Sequence, residues 1–229
     1  MTQNPVTCDH ISVAVPTGKA ARRDILVDVS AVFGCGEVAL VTGDTGAGKT
    51  TLLHVIACLE RPTAGQVLFG GDPVSRWAPA HRDLWRRRVG IVFQTGLFLE
   101  DLSALENVMV PLVPQRMPPT DMTARCRDML ERLELSALAR TPVNRLSTGE
   151  RQRVSIARAL VSAPAVMLAD EPTAHQDDRQ AARIMVLLAE HARVHRAVVV
   201  MTAHDPRVAG HPAAATAYRL DGGRLDRRA

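Results

Sequence analysis

Residues 43–50, GDTGAGKT, follow the apolar run 38–41 (VALV) and satisfy the spacing G-x-x-x-x-G-K-[ST]. That pattern suits one chemistry, the holding of a chain of phosphates. Gly43, Gly46 and Gly48 let the backbone curl so that successive N–H groups, through Asp44, Thr45 and Ala47, point at one anion. A helix expected over 51–59, starting at Thr51, aims the positive end of its dipole at the same point. Lys49 adds a compact charge for the outer phosphates, and the Thr50 hydroxyl is placed to ligate Mg²⁺. Of 28 Lys and Arg residues only Lys19 and Lys49 are lysines. A lysine in this slot, in a chain that uses arginine for nearly every other positive charge, points to a need for a point charge rather than a planar fork. A glycine-rich turn that matches by accident would not be expected to have a strand before it and a helix after it. The chain is therefore expected to bind a nucleoside triphosphate with Mg²⁺.

The rest of the chain must position that loop. At 229 residues with a hydrophobic share of 46%, it is long enough for a real core. The longest apolar runs, such as 197–201, are too short to cross a bilayer, and the first residues lack the basic start and apolar stretch of an export signal. Cys8, Cys35, Cys58 and Cys126 form no C-x-x-C pair, which favours free thiols in a reducing compartment. A formal net charge of +4 suits an anionic ligand or membrane surface. The aromatic content of 3% argues against a base-stacking surface, and no nucleic acid partner is expected.

Strands are expected at 8–15 and 25–33, then at the run feeding the loop, at 66–69 and at 89–93, with a helix over 79–88 between the last two. Ser103 begins a short helix with Glu106 three residues on, the spacing of a capping box. A proline-rich connector follows, then helices over about 121–133 and 147–161. Strands at 166–168 and 197–202 flank a helix over 177–193, and no element is assigned beyond residue 202. Strands alternating with helices predict a single α/β domain over 1–229. It has a mainly parallel sheet, an antiparallel β region at its N-terminal end and a helical insertion over about 95–164.

Five further stretches stand in a telling order: Gln94 after VGIVF, LSTGE (146–150) running into RQRVSIARAL, AVMLADE ending at Asp170-Glu171, PTAHQD ending at Asp177, and His204 in MTAHD. With the phosphate loop they make the chain resemble the ATP-binding subunit of an ABC transporter, a phosphate-loop NTPase, over almost its whole length. The segment LSALENVMVPL resembles more narrowly the lipoprotein-release, macrolide-export and cell-division members. Two acids closing an apolar strand place one carboxylate, Asp170, near Mg²⁺ and the next, Glu171, toward the attacking water, as general base or to polarise it. Alone they could equally cap a helix before Pro172. Gln94 at a strand end can touch both metal and water, and His204 can orient the water through the γ-phosphate. Of the eight histidines, six others suit surface or packing roles and His10 is undecided. Ser147 and the Gly149 backbone, at a helix N-terminus, form a second anion site while Ser147 also caps the helix. The resemblance implies that this site closes over the ATP held by a second copy of the chain, head to tail, with Asp177 linking the two shared sites. It also implies a separate integral membrane permease and a place in the cytoplasm, on the inner face of the membrane. Leu97, Phe98 and Leu99 are candidates for the permease's groove or for plain core packing.

Three positions depart from that pattern. The resemblance leads one to look near Val15 for an aromatic ring that stacks on the adenine, yet residues 1–32 contain no Phe, Tyr or Trp. Losing one such stack costs about 1–3 kcal/mol, which weakens binding without abolishing it. Thr148 stands where a glycine is usual, adding bulk toward the partner's γ-phosphate and making slow turnover an expectation. Gln176 replaces a usual leucine before Asp177. An energy-supplying transport subunit, for export or for lipids or lipoproteins, is the first reading. A component that transmits an ATP-driven mechanical signal through a membrane partner, carrying nothing across, is the alternative.

Overall fold

A computed structural model describes residues 4–16, 22–203, 212 and 214–228. Its core is a six-stranded sheet in the order β5 (Val89–Val92), β6 (Val166–Ala169), β7 (Val198–Ala203), β3 (Val38–Thr42), β8 (Ala214–Asp221), β9 (Arg224–Arg227). Every neighbouring pair is parallel except β8 with β9. A second, antiparallel sheet places β1 (Val6–Pro16) between β2 (Arg22–Phe33) and β4 (Ala64–Phe69).

The central strands read as unbroken apolar runs because both of their faces are buried. Their period of two sorts the side chains into two cores. Val166 and Leu168 of β6, with Val198 and Val200 of β7, face α1 (Lys49–Ile56) and the antiparallel sheet. Met167, Ala169, Val199 and Met201 face a layer of helices. That layer contains α3 (Ala104–Met109), α4 (Pro119–Arg132) and α5 (Thr148–Leu160), all between β5 and β6 in the chain, and α6 (Asp178–His195) between β6 and β7. Each fully buried Val or Leu contributes about 1.5–3 kcal/mol, so the alternation fixes the register strongly. Trp85 of α2 (Pro79–Arg86) is buried against Phe69, and its indole N–H donates to the Ile56 carbonyl at 3.1 Å, pinning α2 to the end of α1.

The structure adds two strands the sequence analysis leaves unassigned. In β8, Thr216, Tyr218 and Leu220 point inward, but three alanines and an arginine among them blur the alternation. In β9 only Leu225 breaks a run of charged residues, and its pairing with β8 makes it a strand. His10 is an exposed residue at an irregularity of the β1–β2 ribbon, where its Nδ1 lies 2.6 Å from Asp28 Oδ1.

Candidate functional site

The phosphate loop connects β3 to α1 and its shape is imposed by its neighbours. A Cβ on Gly43 would lie 2.2 Å from the Leu220 carbonyl oxygen of β8. Gly48, the N-cap residue of α1, has φ 104°, and a Cβ there would lie 2.9 Å from the Ile25 carbonyl oxygen. Neither position tolerates a side chain. The α1 N-terminus has no side-chain cap, so its first N–H groups remain directed into the loop. The Lys49 ammonium folds back to donate to the carbonyls of Gly43 at 2.8 Å and Asp44 at 3.0 Å. Lys49 is buried, which lowers its pKa, and the carboxylates of Glu171, Asp170 and Asp44 work against that fall.

Asp170 leaves the end of β6 buried and doubly held. Thr50 Oγ1 donates to its Oδ2 at 2.6 Å and Thr202 Oγ1 donates to its Oδ1 at 2.6 Å. The Thr202 hydroxyl also accepts from the Glu171 N–H at 3.0 Å. Thr202 was not singled out by sequence reasoning. Its signal was a hydroxyl in the apolar run VVVMT, since a buried hydroxyl needs a partner. Glu171 itself has φ 49°, a left-handed backbone that a glutamate adopts at a cost of about 1–2 kcal/mol. The turn from β6 thereby points the two consecutive acids in different directions.

One cleft of about 420 Å³ is lined by Thr45, Gly46, Gly48, Lys49, Thr50, Thr51, Gln94 and Glu171, together with Arg23 and Ile25 of β2. Fold and loop bring these sequence-singled residues together, with Asp170 hydrogen-bonded to Thr50 behind them. Thr50 and Asp170 are in contact and Gln94 lines the same cleft, and their hydroxyl, carboxylate and amide oxygens are donors of the kind Mg²⁺ takes. No group of three or more His, Cys, Asp or Glu side chains suited to a metal occurs among the described residues. His204 lies outside the described residues.

Ser147, Gly149 and Asp177 are not among the residues lining that cleft. Ser147 is exposed at the N-cap of α5, where its hydroxyl donates to Glu150 Oε2 at 2.8 Å and accepts from the Glu150 N–H at 3.4 Å. Asp177 caps α6, accepting from the Gln180 N–H at 2.8 Å. Gln176 is buried between them: its amide donates to the Gly149 carbonyl at 3.0 Å and accepts from Arg153 at 2.9 Å. An amide can bridge the α5 N-terminus to the turn before Asp177, which a leucine side chain could not do. Near Gln94, Leu97 and Leu99 are exposed, while Phe98 packs on the helical core beneath Arg151 and Arg158, each 5.0 Å from its ring.

A parallel sheet carrying this loop, with acids at the end of a neighbouring strand, defines a phosphate-loop nucleotide-binding protein. Residues 26–174 match the model of the ABC transporter family. The chain belongs to that family, as an ATP-binding subunit with the ABC ATPase fold. Its structure is similar to that of MJ0796, a bacterial ABC transporter cassette solved as a dimer, at 30% identity and a TM-score of 0.91 over 97% of both chains. A post-hydrolysis dimer of MJ0796 bound to ADP and Pi matches equally well, at 30% identity and a TM-score of 0.91 over 98% of this chain and 99% of that one. The cbiO1 protein of Clostridium perfringens, described as part of the ABC transporter complex cbiONQ, matches at 26% identity and a TM-score of 0.80 over 96% of this chain and 86% of that one.

Proposed function

We propose that this chain hydrolyses ATP with Mg²⁺ in a head-to-tail pair of identical copies, and that the pair drives a separate membrane permease. The observation that carries the reading is the separation within one copy. The cleft gathers loop, metal oxygens and Glu171, while Ser147, Gly149 and Asp177 stand outside its lining. A second copy would bring its own α5 N-terminus over the nucleotide. The dimeric MJ0796 structures support the pairing, and the one holding ADP and Pi supports hydrolysis.

In this account Lys49 and the α1 N-terminus bind the phosphates, and Thr50, Asp170 and Gln94 would hold Mg²⁺. Once bound, the metal would supply charge neutralisation to the phosphates. The Glu171 carboxylate accepts a proton from water as the water oxygen bonds to the γ-phosphorus and the bond to the ADP oxygen breaks. Thr202 keeps Asp170 and the Glu171 backbone in register with each other. His204, next after β7, is assigned to orient the water. A permease partner is supported by cbiO1's membership of a transporter complex. Among the described residues no helix is long and apolar enough to cross a membrane. The inner face of the cytoplasmic membrane is then the place of work, and LSALENVMVPL favours export or lipid and lipoprotein handling.

The test is Glu171→Gln. The variant is expected to bind ATP normally, release phosphate about a hundredfold or more slower than wild type and accumulate as a dimer with ATP on gel filtration. Undiminished phosphate release would refute the role of Glu171.

A further inference from the structure

The cleft takes its lining from two sheets and the loop between them. Gln94 follows β5 and Glu171 follows β6, both in the central sheet, and they are the residues assigned above to the terminal phosphate. Arg23 and Ile25 come from β2 of the antiparallel sheet, with Ile25 against Gly48 of the phosphate loop. A triphosphate that places its last phosphate beside Gln94 and Glu171 extends its sugar and base toward the β2 wall. Among the described residues, no aromatic side chain lines this cleft.

Residues 23 and 25 of β2 both line the cleft, and the ribbon register shifts at Ile25, between the pairs Ala14–Asp24 and Val13–Leu26. Ile25 is anchored, since its carbonyl oxygen sits against Gly48 and its side chain lies beside that glycine. This contact ties the start of β2 to the phosphate loop. Across the ribbon Arg23 pairs directly with Val15, so the two side chains share a face. Arg23 is exposed, and no ion pair or side-chain hydrogen bond occupies it among the described residues.

We infer that Arg23 is the nucleobase-holding residue of this site, its guanidinium plane lying on the purine face with Ile25 as the apolar floor. The inference rests on the ATP-binding reading above and deepens it. Guanidinium groups stack on π-systems and, unlike ammonium groups, present a plane. Every purine offers a π-face, so a stacked guanidinium does not choose between bases, and the site is expected to accept GTP as well as ATP.

Calorimetric titration of the whole chain with ATP, GTP and inorganic tripolyphosphate, with Mg²⁺, tests this apart from turnover. Wild type should bind both nucleotides more tightly than tripolyphosphate. Arg23→Ala should weaken ATP roughly fivefold or more while leaving tripolyphosphate unchanged. Arg23→Tyr should restore ATP binding, and Arg23→Lys, which keeps the charge but not the plane, should not. Equal weakening of ATP and tripolyphosphate, or full rescue by lysine, would make Arg23 a phosphate contact and overturn the inference. Wild type that binds none of the three would instead overturn the nucleotide-binding reading itself.

Discussion

Two helices present their N-termini to anions in this account, and they are built in opposite ways. Helix α1 begins at a left-handed glycine with no side-chain cap, so its end N–H groups are left for a ligand. Helix α5 begins in a closed capping box, in which Ser147 and Glu150 satisfy each other's groups within one chain. The first end is a finished half-site; the second is complete without a ligand and must exchange an internal hydrogen bond to take one. Helix α3 sharpens the contrast. Its Ser103–Glu106 box repeats the geometry, with the hydroxyl 2.6 Å from Glu106 Oε2, yet neither residue lines the cleft. Within one copy nothing in the capping geometry sets Ser147 apart from Ser103, and in the proposed pair the difference is where a second copy would meet it.

The largest effect is expected from Glu171→Gln, where loss of the general base should lower phosphate release by about a hundred- to ten-thousandfold with ATP affinity unchanged. Next comes Ser147→Ala. If α5 supplies a donor to the partner's nucleotide, kcat should fall about a hundred- to a thousandfold. Ser103→Ala is the matched control, and it should cost about 1 kcal/mol of stability in denaturant titration while leaving kcat intact. Equal kcat in the two serine variants would reduce Ser147 to a cap. Lys49→Ala should raise the ATP dissociation constant about a hundredfold, because it removes a charged donor from the finished half-site. The smallest effect concerns pH. The Ser147 backbone N–H, and then its hydroxyl, hold the Glu150 carboxyl below the usual carboxylate range. Glu106 is held low likewise, by the Ser103 hydroxyl and then its N–H. A depressed folded pKa gives stability that is present above the unfolded value, about 4.3, and is lost as pH falls through the folded one. The acid limb of the melting-temperature profile should flatten slightly in both serine variants.

Much of this was legible because it is local. The phosphate loop, the Ser103–Glu106 box, the Ser147 cap and the Asp170-Glu171 pair each lie within eight consecutive residues, and their chemistry fixes residue type at each step. The phosphate loop's partners are a different matter. Thr202 meets Asp170 across 32 residues and Thr50 meets it across 120, contacts that only the strand order β6-β7-β3 creates. Arg23 was hidden for the same reason. An arginine in a β2 that begins RRDILV reads as a solvated strand end until pairing with Val15 and contact of Ile25 with Gly48 turn that face into a cleft wall. Strands β8 and β9 were missed because alanine and charge dilute their alternation, although β8 supplies the Leu220 carbonyl that makes Gly43 obligatory. Gln176 showed in the sequence as a departure, but its bridge from Gly149 to Arg153 required α5 and the turn to be folded together.

Phosphate release from an equimolar mixture of Lys49→Ala and Ser147→Ala chains tests the central claim most directly. A mixed pair keeps one intact loop facing one intact α5 N-terminus, so the mixture should recover roughly a quarter of wild-type activity if sites act independently. Activity no greater than the average of the two variants measured alone would contradict the shared site.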